Sequence, residues 1–343
     1  MTATIPVGVE AARDLVGPAF GAALERLSPE VRVVAAYHLG FGDADGNPAG
    51  TDGRSGAAGK ALRPALALLS ARAAGAAPER AVCAAAAVEF VHNFSLLHDD
   101  IMDGDVERRH RPTAWTVFGT GAAILAGDAL LALAQDLLLE GPAPQNLWAS
   151  RCLSAAVQRL IAGQGADLAF ERRDDVSLAQ CLEMAGDKTA ALMACACSIG
   201  AIYVGAPPAL AMGLAGFGAH VGLAFQLTDD LLGIWGAAET TGKPVRSDLR
   251  ARKKSLPVVA ALTSGTPEGT ELGALLARAE PLDEDDLLRA ADLVATAGGK
   301  SWTEAEADVQ LASASKCLAE TDMPDDVRAE FTGIAEFITA RQW

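Results

Sequence analysis

From Thr189 to Thr228 the chain runs for 40 residues without an Asp, Glu, Lys or Arg. A stretch that long with no charge has to be buried, either inside a protein or in a bilayer, and about 20 apolar residues of helix already span the latter. Pro207 and Pro208 cut the run in two, and both halves are rich in Gly and Ala rather than Leu and Ile. Each half also abuts charge, Asp187 and Lys188 before and Asp229 and Asp230 after. The pattern predicts two buried helices in the middle of a bundle, with no membrane span. Elsewhere no run alternates Val, Ile, Thr or Tyr with polar residues for long enough to build a sheet. Breaks of loop composition fall at residues 40–59, 75–80, 140–146, 205–208, 236–248, 264–269 and 321–326. None is long or simple enough to be an interdomain linker, so residues 1–343 are expected to form one all-α domain.

The formal charge of -16 argues against a general nucleic-acid binder, which would carry a basic footprint. Basic clusters in so acidic a chain are therefore local. The six cysteines are scattered, without a CxxC pair or a histidine at zinc-finger spacing, and read as reduced core residues of a cytoplasmic protein. The first residues, MTATIPVGVEAARDL, lack the basic-then-apolar pattern of a secretory signal.

Residues 82–103, VCAAAAVEFVHNFSLLHDDIMD, contain no Pro or Gly and predict one long helix ending in a charge cluster, LLHDDIMDGDVERRHRPT. Asp99 and Asp103 are four apart and share a helix face, with Asp100 one step round. Such like charges require a counter-charge. An oxygen-only ligand set with room for water and phosphate oxygens is what Mg²⁺ accepts, although a bare DDxxD can also be a solvated helix end. A second acidic pair, Asp229 and Asp230 in FQLTDDLLGIWG, closes the charge-free run. Two helices facing each other across a bundle can hold divalent ions between such pairs. Basic residues accompany them: Lys60 and Arg63 in GKALRP, Arg108 and Arg109, Lys188 in DKT, Lys243 in TGKP, and Lys253 and Lys254 in ARKKS. These side chains suit phosphate oxygens, by forked contacts from Arg and point charges from Lys. Without a GxxxxGKS or GxxxxGKT loop, the anion is better read as a diphosphate held by metals and side chains than as a nucleotide in a backbone cradle.

In this order, from about Gly59 to Leu262, GKALRP, VHNFSLLHDDIMD, RRHRPT, GDKTAAL, FQLTDDLLG and TGKPVRSDLRARKKSLPVVAAL resemble the motif set of the trans-isoprenyl diphosphate synthases, the polyprenyl synthetases. The resemblance implies an all-α bundle of roughly a dozen helices around a deep central cavity, in a homodimer. It implies Mg²⁺, three ions in the family pattern, and a reaction in which an allylic diphosphate ionises and its carbocation is attacked by the double bond of isopentenyl diphosphate. On these positions Asp99 and Asp103 would bridge Mg²⁺ to the allylic diphosphate, with Asp100 in support, and Asp229 would bind the remaining ion beside Asp230. Arg108, Lys188 and Lys243 would grip the allylic diphosphate, and Lys253 would approach it from a closing loop. Lys60, Arg63, His92 and Arg109 would hold isopentenyl diphosphate. Thr189 and Gln226 would line the place where positive charge develops.

Two positions depart from the family pattern. Gly233 stands where many relatives have a third aspartate, leaving one outer ligand missing, and His110 stands where Gly commonly follows the arginine pair. The helix leading to Asp99 is expected to line an apolar tunnel with Val91, Phe94, Ser95 and Leu97. With Phe94 five residues before Asp99, the small Ser95 four before, and no insertion in DDIMD, the pattern resembles geranylgeranyl diphosphate synthases and a C20 product, Phe94 being the tunnel floor. A floor set by other helices would move the product to C15 or C25. Two other readings share the acidic clamp. A class I terpene cyclase would not need the second anion site of Lys60, Arg63, His92 and Arg109, and a non-catalytic subunit would usually have lost one acidic pair. His38, His98 and His220 have no Ser or Cys partner at a recognisable spacing. Residues after Thr263 carry no readable motif.

Overall fold

The protein is described by a computed structural model covering residues 7–48, 61–140, 143–237 and 245–339. Lys60 and Lys243, two of the expected diphosphate ligands, lie outside the described residues.

Proline and capping residues mark the helix starts. Pro29, Pro144, Pro208, Pro257 and Pro267 stand in the first turns of their helices, where a missing N–H costs nothing. In chain order the helices are α1 (Val7–Leu24), α2 (Pro29–Leu39), α3 (Leu62–Ala73), α4 (Val82–Met102), α5 (Ala114–Phe118), α6 (Thr120–Leu138), α7 (Pro144–Phe170), α8 (Leu178–Ala185), α9 (Ala191–Tyr203) and α10 (Pro208–Trp235). Then come α11 (Ser247–Arg250), α12 (Leu256–Leu262), α13 (Pro267–Leu276), α14 (Glu284–Thr296), α15 (Gly299–Glu320) and α16 (Asp325–Thr339). Among the described residues, the only strands are β1 (Glu107–Arg108) and β2 (Arg111–Pro112), a two-residue hairpin directly after α4. The fold is all-α, as expected.

The charge-free run forms α9 and α10, with Pro208 opening the second. They approach closely because their contact is made of small residues. A Cβ added at Gly218 would stand 2.7 Å from the Met193 carbonyl, and one at Gly222 2.7 Å from the Ala190 Cα. Around this pair, α3 and α7 pack on α9, α6 packs on α4, and α15 lies along α10. α12, α13 and α14 gather a smaller apolar cluster around Leu272, Leu287 and Val294, which Ile234 at the end of α10 joins. The helices after Thr263, which carry no motif, thus help to brace the helix that bears the second acidic pair.

By length and composition, α4 with the turn before it, α6 and α10 could each cross a membrane. In this fold α4 buries Phe90, Val91 and Leu97, and α10 buries Phe217, Leu227 and Leu231 in the protein core. α6 instead leaves Ile124 and Leu125 exposed. All six cysteines are free thiols.

Candidate active site

α4 delivers its acidic pair as its periodicity requires: Asp99 faces a cavity, and Asp100, about 100° round the helix, faces away from it. Asp103 caps the helix, its N–H donating to the Asp99 carbonyl at 2.8 Å, and its side chain is exposed. The Asp99 carboxyl is pushed up to about 6, first by burial, with Lys188 pulling down and Asp103 pushing up. Asp100 is buried and accepts a 2.6 Å bond from Arg108 Nε in β1. Burial also raises its carboxyl, against the pull of Arg108. The hairpin turns at Arg109 and His110, both in the left-handed region at φ 52° and 60°.

The next wall is a π-turn, Gly186–Ala190, which widens the join between α8 and α9 and contains Lys188 and Thr189. Insertions of this kind re-aim side chains and recur at functional sites. It fits because Gly163 on α7 has no side chain: a Cβ there would lie 2.3 Å from the Lys188 nitrogen. α7 also supplies Asp167, whose Oδ2 accepts from Lys188 Nζ at 2.5 Å and fixes the ammonium at the cavity wall. Sequence reasoning missed Asp167. Its signal was a single charge between Arg159 and Glu171 on an otherwise apolar or neutral helix stretch.

α10 delivers the second pair with a similar division, although Asp230 also reaches the cavity lining. Asp229 is exposed to the cavity, whereas Asp230 is buried, with Oδ1 accepting from Gln226 Nε2 at 2.7 Å and Oδ2 from the Leu256 N–H at 2.9 Å. Leu256 is the first residue of α12, so this carboxylate also meets the positive end of a helix, an interaction of about 0.3–2 kcal/mol. Burial nevertheless pushes Asp230 up to about 6, Lys253 opposing it. Gln226 Oε1 accepts from Thr189 Oγ1 at 2.6 Å, so a continuous chain of polar contacts ties the π-turn to α10 and α12. Lys253 enters the cavity surrounded by Asp230, Asp248, Asp167 and Asp229, which raise its ammonium far above the ordinary value against the effect of burial. Lys254 points elsewhere, to Asp174 at 3.8 Å.

A separate cationic group belongs to α3 and α4. Arg63 and His92 line the cavity, and Glu89, one turn before His92, is buried beside Arg63 and Arg109. Burial raises the Glu89 carboxyl and the two arginines lower it. Asn93 Nδ2 holds Glu89 in place through its carbonyl at 2.8 Å. Burial and then Arg63, Arg109 and Arg108 drive His92 well below its ordinary value, so it is neutral at pH 7 and can hydrogen-bond without adding charge. Glu89 was also overlooked, although an acid inside AAAAVEFV has to be paired.

The structure therefore brings Arg63, His92, Ser95, Asp99, Lys188, Thr189, Gln226, Asp229, Asp230 and Lys253 around one cavity. Asp103 is exposed at the end of α4, outside that lining. Arg108 is not in the lining, being bonded to Asp100, and Arg109 lines a neighbouring cavity with Glu89 and Asn93. Asp100 is likewise outside it, away from the place the motif suggested for a metal ligand. Phe94, expected as a tunnel floor, is buried away from this lining, its ring edge-on to His98 at 4.9 Å. His98 in turn fills the space left by Gly127 of α6. The α4 residues that do face the cavity one turn before Asp99 are Ser95 and Leu96.

The donor chemistry fits Mg²⁺. Carboxylate oxygens from two helices face a polar space, and Asp99 has only Lys188 and Arg108 to offset its burial and its acidic neighbours. The side-by-side charges of Asp99 and Asp103 cost the helix only about 0.2–0.5 kcal/mol. A divalent cation would readily offset that. Among the described residues no three ligands already converge on one point, so an ion here would complete its shell with water and phosphate oxygens.

A helical fold with two facing acidic helix ends and two cationic groups defines a class of proteins that handle diphosphates through divalent metal. The polyprenyl synthetase family model matches residues 54–294, and the chain belongs to that family. It is 46% identical over 342 residues to a (2E,6E)-farnesyl diphosphate synthase of Mycobacterium tuberculosis, covering 99% of this chain and 94% of that protein. It is 42% identical over 337 residues to a geranylgeranyl diphosphate synthase of the same organism, covering 97% and 93%. The crystal structure of a polyprenyl synthetase from Streptomyces coelicolor A3(2) superposes with a TM-score of 0.91 at 51% identity, covering 98% of this chain and 99% of that one. The chain is thus a prenyltransferase of the trans-isoprenyl diphosphate synthase type.

Proposed function

We propose that this enzyme extends allylic diphosphates by head-to-tail addition of isopentenyl diphosphate, ending at geranylgeranyl diphosphate (C20). The observation that carries elongation, as opposed to cyclisation, is the presence of two cationic groups at one cavity: Lys188 and Lys253 among the aspartates, and Arg63 with neutral His92 beyond Ser95. A cyclase needs only the first. Asp99, Asp103 and Asp229 would hold Mg²⁺, which when bound supplies positive charge to the leaving diphosphate. Lys188 and Lys253 add point charges to the same oxygens, and with Lys243 and Arg108 they complete the allylic grip. As the allylic C–O bond breaks, its electron pair leaves with the diphosphate and the carbon becomes cationic. The Thr189 and Gln226 oxygens stand nearby as fixed dipoles. Lys60, Arg63, His92 and Arg109 hold isopentenyl diphosphate so that its double bond meets the cation before water does. The proton lost when the new double bond forms passes to the released diphosphate.

The C20 reading rests on Ser95, which leaves the cavity wall open where an aromatic residue would close it. A C15 product is the second reading, favoured by the 46% identity to a farnesyl diphosphate synthase. The exposed apolar residues Ile124 and Leu125 of α6 and Leu147 and Trp148 of α7 support a homodimer. The burial of α4 and α10 supports a single domain with no membrane span, and the six free thiols a cytoplasmic setting. The deciding experiment incubates the protein with Mg²⁺, isopentenyl diphosphate and dimethylallyl, geranyl or farnesyl diphosphate, and analyses the products. A C20 diphosphate is expected, shortened by Ser95→Phe. A cyclic hydrocarbon made without isopentenyl diphosphate would defeat the elongation reading, and C15 as the only product would defeat the role given to Ser95.

A further inference from the structure

Gly233 lies four residues after Asp229 on α10, the position that shares Asp229's face as Asp103 shares that of Asp99. A side chain there would be the outer carboxylate of the second acidic cluster, and the chain has none. The space is nevertheless filled by a carboxylate. A Cβ built on Gly233 would stand 2.4 Å from Asp248 Oδ2, 2.5 Å from its Cγ and 2.8 Å from its Oδ1. The Asp248 carboxylate therefore overlaps the space that a side chain at 233 would need. Any side chain at 233 would expel it.

Asp248 belongs to α11, which packs on α10, and its carbonyl accepts from the Lys253 N–H at 2.8 Å. Its charge is felt by both Asp230 and Lys253. The carboxylate and the cavity lysine are therefore carried by one short piece of chain.

We propose that Asp248 is the third carboxylate of the second acidic cluster, delivered from α11 into the space vacated by Gly233, where it positions the cation held at Asp229. Supplying it from this segment couples cation binding to the placement of Lys253, which a carboxylate fixed on α10 would not do. The inference rests on the reading that this cavity binds a divalent cation together with diphosphate.

The test uses the full-length protein and inorganic diphosphate titrated calorimetrically at fixed Mg²⁺, with Mn²⁺ binding followed by electron paramagnetic resonance and melting temperatures recorded in parallel. Wild-type protein should show a diphosphate site that appears only with metal, beside the metal-independent one at Arg63 and His92; absence of any metal-dependent binding overturns the parent reading and this one with it. Asp248→Asn, which keeps the shape and removes the charge, should weaken metal-dependent binding about 10-fold or more, the usual loss for a residue orienting a metal's ligands. Asp248→Ala should do the same, and adding Gly233→Asp to it should restore affinity to within a few-fold of wild type. Gly233→Asp alone should lower the melting temperature, because two carboxylates contest one space. If Asp248→Asn binds metal and diphosphate as wild type does, or if the folded double variant stays as weak as Asp248→Ala, the proposal fails. A purely structural Asp248 would lower the melting temperature and leave metal affinity unchanged.

Discussion

At the end of α4 the second aspartate of the pair, Asp100, is buried against Arg108, and at the end of α10 the second aspartate, Asp230, is buried against Gln226 and the first turn of α12. In both pairs the first carboxylate faces the cavity. A helix turns about 100° per residue, so the second aspartate of each doublet turns toward other partners, Asp100 out of the cavity and Asp230 to its buried edge. Each doublet therefore divides its work, one member meeting the ligand and the next fixing the segment that follows the helix. After α4 that segment is the hairpin with Arg108 and Arg109, and after α10 it is the approach to Lys253. The buttresses differ in kind. Asp100 holds its segment by one bond to a side chain, Asp230 by a bond to a helix N-terminus and another to an amide.

This division predicts two phenotypes. Asp99→Ala or Asp229→Ala should lower turnover by about 10³ or more, because charge stabilisation at the leaving group is the largest catalytic contribution. Melting temperature should fall less than for the buried members of the doublets, as both side chains face the cavity. Asp230→Ala leaves the Leu256 N–H unpaired and the Lys253 ammonium short of one counter-charge. It should cost about 3 kcal/mol of stability as well as roughly 10²-fold in turnover. Asp100→Ala should show the same double loss in weaker form. Parallel kinetics and thermal melts decide it: if Asp230→Ala loses turnover at an unchanged melting temperature, the two members of the doublet do the same job and the comparison is wrong.

Protons probe the comparison from another side. Asp99, a front residue, and Asp230, a back residue, are both raised from 3.8 to about 6, mainly by burial. Folding therefore makes them bind protons more readily. Between about pH 4 and 6 the folded state carries the extra protons, and the stability these two groups contribute falls as pH rises. Metal binding has the opposite sign, since a cation needs the ionised forms. Metal affinity should weaken below pH 6, by about 10-fold per unit for each proton displaced. Metal-free protein should lose melting temperature from pH 5 to 7 while Mg²⁺-loaded protein gains it. Metal affinity that is flat over that range would show that neither carboxylate is coupled to the ion.

Much of this was legible in the sequence because helical periodicity is strict. The span of α4, the split of the charge-free run at Pro208 and the facing acidic ends all follow from spacing. What spacing alone could not give was the use of each polar residue. Asp100 and Asp230 read as metal ligands from the motif, and only the packing shows Arg108 and Leu256 occupying them. Asp167, Glu89 and Asp248 were overlooked because each acts on a partner distant in sequence, and a lone charge in a helix names no partner. Phe94 illustrates the converse: its position in the motif suggested a tunnel floor, while the gap at Gly127 draws His98, and Phe94 with it, toward α6.

The smallest effect concerns the hairpin that Asp100 supports. Its two-residue turn puts both Arg109 and His110 at positive φ, the geometry of a type I′ turn, which favours glycine at the second position. His110 accepts that strain with little return: its side chain is 84% exposed and stands 3.7 Å from Glu107, a surface pair worth about 0–1 kcal/mol. A left-handed residue costs about 1–2 kcal/mol, and glycine gives back about 0.5–1 kcal/mol through its greater freedom in the unfolded chain. His110→Gly should therefore stabilise the enzyme by about 0.5 kcal/mol, a rise of roughly 1 °C in a chain of this size, with KM for the allylic substrate within two-fold. A KM shifted ten-fold at unchanged stability would mean that the imidazole touches substrate. The hairpin would then be a ligand in its own right, and Asp100 would be positioning more than Arg108.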